Sequence, residues 1–172
     1  MAVKWTFVAA LALAATAWDL RFQRVPNALT FGAAGLAFLV SGLVAGVGGL
    51  VQSLFGCLVG LALFLPLFVV GGLGAGDVKL LAAFGAWLGP TGALLAALWA
   101  SLVGGVLALV VGAAHGYLLE AFRNLGVIVS IWRTVGPSPI RGVTLGDARG
   151  PRIAYAVPIS VGALLALWLG QM

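Results

Sequence analysis

Two aspartates are the residues of this chain whose type and spacing could support chemistry. Asp19 and Asp77 lie at the ends of apolar runs, 58 positions apart. If an antiparallel bundle brings them face to face, the two carboxylates cannot both ionise easily, so they share a proton and provide a general base and a general acid together. One would take a proton from water while the other protonates or polarises a scissile carbonyl. The alternative is structural: Asp19 pairs with Arg21 or Arg24, and Asp77 caps a helix.

The composition supports no other catalytic arrangement. The single histidine, His115, and the single cysteine, Cys57, fall on different apolar runs. A Ser–His or Cys–His pair is therefore not expected, and a cysteine-based zinc site has too few ligands. An aspartate pair needs neither a metal nor a cofactor, so the acids predict chemistry of the aspartic-protease type.

The solvent for most of the chain must be lipid. Of its 172 residues, 63% are hydrophobic and 8% are charged, with a mean hydropathy of +1.19. An average soluble domain has roughly 25% charged residues, so this composition excludes a soluble domain, a disordered chain and a coiled coil. Six membrane crossings of about 20 residues would use most of the length. We therefore expect one integral membrane domain over residues 1–172.

The apolar runs predict an all-α, polytopic fold with six transmembrane helices. Five of the spans are predicted, within a few residues, over 5–18, 28–47, 50–70, 92–114 and 153–170. The fourth ends at the turn signal that Gly89 and Pro90 begin. From Asp77 to Gly89 is only about 20 Å of helix, short of a hydrocarbon core of about 30 Å. We therefore expect this helix to begin near Gly72 and to carry Asp77 inside the membrane edge; a solvated loop at Asp77 is the alternative.

The basic residues orient this bundle. The loops after spans one, three and five hold eight of the nine: Arg21, Arg24, Lys79, Arg123, Arg133, Arg141, Arg149 and Arg152. By the positive-inside rule that side is the cytoplasm, which leaves the N-terminus outside and both aspartates near the cytoplasmic face. A cleavable signal ending near residue 17 would reverse this bias, so the first span is expected to be retained. Because no basic cluster is present, nucleic-acid binding is not expected.

A polar stretch over 115–150 separates spans five and six. Within it, apolar residues recur at helical spacing: Leu118, Phe122, Leu125, Val129 and Trp132. This pattern predicts either a helix lying at the cytoplasmic interface or a cytoplasmic extension of span five.

Two motifs surround the aspartates. Residues 19–30 follow the pattern D-x-R-x4-P-N-x-L-T, and residues 74–80 follow G-x-G-D-V-K-L. Together they resemble the type IV prepilin peptidases and the related preflagellin peptidases, which are membrane aspartic proteases. The nearest resemblance is to the short prepilin peptidases of tight-adherence, Flp-type pilus systems. It extends over nearly the whole chain, including the stretch Tyr-Ala-Val-Pro at 155–158 of the last span.

The resemblance implies that Asp19 and Asp77 are the catalytic pair. Gly74 and Gly76 are the glycines of the second motif. Without side chains, they are expected to let backbone or substrate approach closely and to let the chain bend at Asp77.

Four further motif residues are expected to shape the site. Arg21 belongs to the first motif, Pro26 suits the first turn of span two, and Asn27 is expected to cap free N–H groups there. Lys79 is expected either to bias the aspartates toward ionisation or to pair with a lipid phosphate.

The expected function is that of an inner-membrane endopeptidase that removes the short basic leader of a prepilin at the cytoplasmic face. Long relatives carry paired CxxC motifs associated with N-methylation of the product; this chain has one cysteine, so methyltransferase activity is not expected. The partners implied are the prepilin and the lipid bilayer. Two alternatives remain: a small proton-coupled transporter with aspartate relays, and a non-catalytic membrane subunit of a secretion system.

Overall fold

The computed structural model describes residues 2–116 and 154–170, together with the isolated positions 118, 123, 126, 134 and 136. Within these residues the fold is all-helical, as predicted. The helices are α1 (Ala2–Phe22), α2 (Asn27–Val69), α3 (Ala75–Ala114) and α4 (Ala156–Leu169). The predicted interfacial helix, Glu120 and Asp147 fall mainly or wholly outside the described residues.

Helix α2 is interrupted by a reversal of the chain at Gly46. This residue has φ 61° and ψ −150°, outside the helical region. Gly49 packs directly on the carbonyl oxygen of Ser41, although residues eight positions apart in a straight helix are separated by about 12 Å. The two halves of α2 therefore form a tight helical hairpin, and the break predicted between residues 47 and 50 lies at Gly46.

Helix α3 reverses in the same way at Gly89, as the turn signal predicted. Gly89 has φ 79°, a conformation that glycine adopts without steric cost, and Pro90 follows it. A Cβ atom placed on Gly85 would lie 3.2 Å from the Cβ of Ala93, eight residues later. The chain thus folds back after the first 14 to 15 residues of α3.

The start of α3 differs from the prediction, which placed it near Gly72. Helix α3 begins at Ala75, because the preceding residues terminate α2. Gly71 has φ 81° and donates to the carbonyl of Phe68, while Gly72 donates to the carbonyl of Leu67. These two bonds and the left-handed glycine form a Schellman motif, which satisfies the last carbonyls of α2.

The first half of α3 is the centre of the bundle. Every residue from Leu80 to Trp87 is buried. Helix α2 packs against it at backbone distance, with Gly56 directly on the carbonyl of Gly85. Ser53 donates to the carbonyl of Ala86 at 2.6 Å. Small residues and interhelical hydrogen bonds of this kind hold helices together in a lipid environment.

Helix α4 fills the space between α1 and the second half of α3. A Cβ atom on Gly162 would meet the carbonyl oxygen of Ala96 at 2.5 Å and the amide nitrogen of Ala100 at 2.6 Å, so the backbones are in contact. On its other side, the Ser160 hydroxyl accepts from the Thr16 hydroxyl at 3.2 Å. These contacts anchor the middle of α4 to both neighbours.

The outer surface of the bundle is apolar. Leu43, Val44 and Val47 are exposed by 77%, 81% and 77%, and many other large hydrophobic residues are exposed with them. An apolar surface of this extent is unfavourable in water. Within the described residues, α2 and α3 are long and apolar enough to cross a membrane. The chain thus has the composition and surface of a membrane protein.

Candidate active site

Asp19 lies near the end of α1 and is bound by the first residue of α4. Its side chain is only 6% exposed, and its Oδ2 accepts from the backbone N–H of Ala156 at 3.1 Å. The N-terminal end of a helix carries free N–H groups and partial positive charge, so it favours a carboxylate. Arg21 and Arg24 are exposed, and neither forms an ion pair with Asp19 within the described residues. The Arg21 guanidinium lies 5.6 Å from the centroid of the Phe22 ring instead.

Asp77 lies in the first turn of α3 and is half-buried. Its Oδ2 accepts from the N–H of Gly74 at 3.2 Å, and its own N–H donates to the Gly74 carbonyl at 3.1 Å. Gly74, not Asp77, is the N-cap of this helix. The reciprocal pair of bonds stabilises the helix start in the same way as the acidic half of a capping box. The alternative prediction that Asp77 is the N-cap of a helix is therefore wrong. Asp77 is the third residue of α3.

The two carboxylates lie close enough to interact electrostatically. The start of α4 binds Asp19 through the N–H of Ala156, and the phenol of Tyr155 lies within electrostatic range of Asp77. Helix α4 therefore begins near the acids of α1 and α3. The sequence indicated the acids, but it did not indicate that Ala156 binds Asp19 or that Tyr155 lies near Asp77; the available signal was the short motif at 155–158.

Gly76 faces the connection between α1 and α2. A Cβ atom at this position would lie 3.4 Å from both the Cβ and the amide nitrogen of Val25. A Cβ atom on Gly74 would lie 3.1 Å from the Oδ2 of Asp77. Larger side chains at these two glycines would press on the α1–α2 connection and on the carboxylate itself.

Pro26, Asn27 and Lys79 lie at the starts of α2 and α3. Pro26 directly precedes α2 with φ −68° and accepts from the N–H groups of Leu29 and Thr30. Asn27 is the first helical residue and makes no capping bond, so the capping role expected for it is wrong. Its amide oxygen accepts from the Lys79 Nζ at 2.9 Å, which joins the two helix starts.

Lys79 is therefore bound by a neutral partner. Its Nζ also lies 5.5 Å from the centroid of the Phe31 ring, within the range of a cation–π contact. No ion pair between Lys79 and Asp77 occurs in the described part of the chain. The described residues contain no group of three His, Cys, Asp or Glu side chains that could hold a metal ion.

Comparison with known proteins identifies the family of the chain. A family model described as the type IV leader peptidase family matches residues 6–109. The matched range includes Asp19, Asp77 and the glycines beside Asp77, and it ends before α4, whose first residue binds Asp19. No curated protein and no solved structure matches the chain.

Proposed function

Because the chain belongs to the type IV leader peptidase family, we propose that it hydrolyses prepilin leaders with Asp19 and Asp77 as its catalytic pair. Family membership makes the chain a peptidase and a prepilin its substrate. The assignment of the two acids is supported by their lying within electrostatic range of each other and by the hydrogen bond from the first residue of α4 to Asp19. Among the described residues, Asp19 and Asp77 are the only carboxylic acid side chains.

The reaction proposed is general acid–base hydrolysis. Two interacting carboxylates hold one proton between them more easily than they hold none, because two adjacent negative charges repel. The ionised member takes a proton from water, whose oxygen attacks the scissile carbonyl, and the protonated member donates to the carbonyl oxygen. Collapse of the tetrahedral intermediate transfers a proton to the leaving amine and breaks the C–N bond. Asp19 and Asp77 each bind one backbone N–H through Oδ2, which keeps both side chains in place for these transfers.

The proposed topology has six crossings. The hairpins at Gly46 and Gly89 would divide α2 and α3 into two spans each, which with α1 and α4 makes six. The positive-inside rule then places the acids near the cytoplasmic face and the N-terminus outside a bacterial inner membrane. A leader peptide lies in the cytoplasm while the hydrophobic pilin helix lies in the bilayer, so a site at this boundary has the position that the cleavage requires.

The finer substrate proposal is a prepilin of the Flp type, cleaved without subsequent N-methylation. It is supported by the resemblance of both motifs to the short peptidases of tight-adherence systems and by the single cysteine of the chain.

Substitution of Asp77 tests the catalytic assignment. Asp77→Asn keeps an oxygen that can accept from Gly74, so the start of α3 should fold normally while the acid is lost. We expect cleavage of a co-incubated prepilin, followed by product mass, to fall by about 10²-fold or more. Ser101→Ala is the control, because Ser101 only donates to the carbonyl of Ala97 in its own helix. Full activity of Asp77→Asn would exclude the proposed mechanism, whereas pilus assembly that survives it would favour a non-catalytic subunit.

A crosslink tests the juxtaposition independently of activity. Cysteines introduced as Asp19→Cys and Asp77→Cys, in a Cys57→Ser background, should be joined by a short thiol reagent in membranes. Cys57 is the only native cysteine, so any crosslink formed within the chain reports the new pair. If the double-cysteine variant unfolds at the same temperature as the native protein and yet forms no crosslink, the two positions do not share a site.

A further inference from the structure

The side chain of Tyr155 packs against the backbone of α3 at Gly104. A Cβ atom placed on Gly104 would lie 2.8 Å from the Tyr155 hydroxyl oxygen, 3.1 Å from Cζ and 3.4 Å from Cε1. Only a glycine allows the edge of the ring to approach so closely. A Cβ atom added to the adjacent Gly105 would have nothing within 4 Å. The space beside Gly104 that the Tyr155 ring occupies, here called the notch, is therefore specific to this position.

The residue that occupies this notch immediately precedes the N–H that binds Asp19. Tyr155 is the N-cap residue of α4, yet its side chain makes no capping bond. Its backbone continues directly into Ala156, whose N–H donates to Asp19, and its phenol is in electrostatic range of Asp77. The position of the Tyr155 ring therefore constrains where the first turn of α4 meets Asp19.

The rest of α4 is anchored separately. Ser160 contacts Thr16 of α1, and Gly162 contacts the backbone of α3, roughly one to two turns beyond Ala156. These contacts hold the helix in the bundle without fixing the exact position of its first residue. A small disturbance at Gly104 should consequently move the first turn while leaving the fold intact.

We propose that the seat of Tyr155 on Gly104 is a positioning device for the two aspartates. The ring, held against the glycine backbone, fixes the height and rotation of the first turn of α4, and the Ala156 N–H transmits that position to Asp19. Tyr155 acts here as a positioning residue through its ring, and its hydroxyl is not required for the chemistry. This inference rests on the proposed function of Asp19 and Asp77.

Four variants test the seat: Gly104→Ala, Gly105→Ala, Tyr155→Phe and the double variant Gly104→Ala/Tyr155→Phe. The new methyl group of Gly104→Ala must move the ring by about 0.6 Å to restore an ordinary 3.4 Å contact, and misplacement of catalytic groups by about 1 Å can cost about 10²-fold. We expect Gly104→Ala to lower kcat for prepilin cleavage about tenfold with KM changed less than about twofold. Gly105→Ala should stay within about threefold of the native rate, and Tyr155→Phe is measured as the reference for the double variant.

The double variant is the decisive measurement. Tyr155→Phe removes the atom at 2.8 Å, so the closest remaining ring atom is Cζ at 3.1 Å and most of the clash is relieved. We expect the double variant to recover most of the kcat that Gly104→Ala loses, a sign of coupling that independent sites would not show. Thermal unfolding in detergent should be similar for all four variants, because an alanine in a helix interior is itself favourable.

Several outcomes would contradict the proposal that the Tyr155–Gly104 contact positions the acids. Gly104→Ala as active as Gly105→Ala would show that the contact has no effect on the site. A double variant no better than Gly104→Ala would show that the loss does not pass through Tyr155. A Tyr155→Phe variant as impaired as Gly104→Ala would assign the effect to the hydroxyl. Each of these results contradicts the positioning proposal alone, provided that Asp77→Asn is inactive. An active Asp77→Asn would contradict the proposed function itself.

Discussion

Two substitutions of Asp19 separate its proposed chemical role from its structural role. In Asp19→Asn the amide oxygen can still accept from the Ala156 N–H, which the carboxylate binds at 3.1 Å. A hydrogen bond to a charged acceptor contributes about 1 kcal/mol more than one between neutral groups, so the stability loss should be about 1 kcal/mol. The proton acceptor, however, is gone. Loss of a general base lowers rates by about 10²- to 10⁴-fold, so cleavage should fall by at least the lower figure.

Asp19→Ala removes both functions. The Ala156 N–H would remain in a place where the native Asp19 side chain is only 6% exposed, and the described residues provide it with no other acceptor. Leaving a buried donor unpaired costs about 1–3 kcal/mol. We therefore expect Asp19→Ala to be as inactive as Asp19→Asn, and to be less stable than it by a margin of that size.

The assay combines two readouts on the same purified proteins. Prepilin cleavage is followed by product mass, and stability by thermal unfolding in detergent, with Ser101→Ala as the control. A native cleavage rate in Asp19→Asn would refute the proposal that Asp19 is one of the two catalytic acids. Equal stability of the alanine and asparagine variants would refute the conclusion that the Asp19 carboxylate anchors the start of α4.

Two further predictions concern packing and the helix starts. Gly56→Ala should lower the free energy of unfolding by about 1–3 kcal/mol, because its methyl group would overlap the carbonyl of Gly85; Gly35→Ala, where nothing lies within 4 Å, should show no loss in the same thermal unfolding. Removing either partner of the exposed Lys79–Asn27 bond, by Lys79→Met or Asn27→Ala, should cost about 0.5–1 kcal/mol. The double variant should cost no more than one of them, and additive losses would show that the bond contributes nothing.

The sequence was most informative where a local property decides the structure. The apolar composition predicted helices in lipid, and the elements of the described residues are all helices with an apolar surface. The turn at Gly89 and Pro90 was predictable because glycine with φ 79° and proline act through their own backbones. The family was also recognisable, since the two motifs around Asp19 and Asp77 are contiguous in the chain.

The sequence predictions were wrong where a residue's partner is distant in sequence. The start of α3 was misplaced because Gly71 and Gly72 are used to close α2. Asn27 has the type of a capping residue, yet its oxygen binds Lys79, 52 positions away.

The sequence by itself determined the all-helical class of structure and the family, because composition and contiguous motifs are properties of the chain alone; the catalytic role of the two acids stays a prediction. Only the tertiary structure decided what holds those acids in place. Asp19 meets the N–H of Ala156 across 137 positions, and Tyr155 meets Gly104 on another helix. No periodicity or spacing encodes such contacts, since they depend on how closely three helix backbones pack.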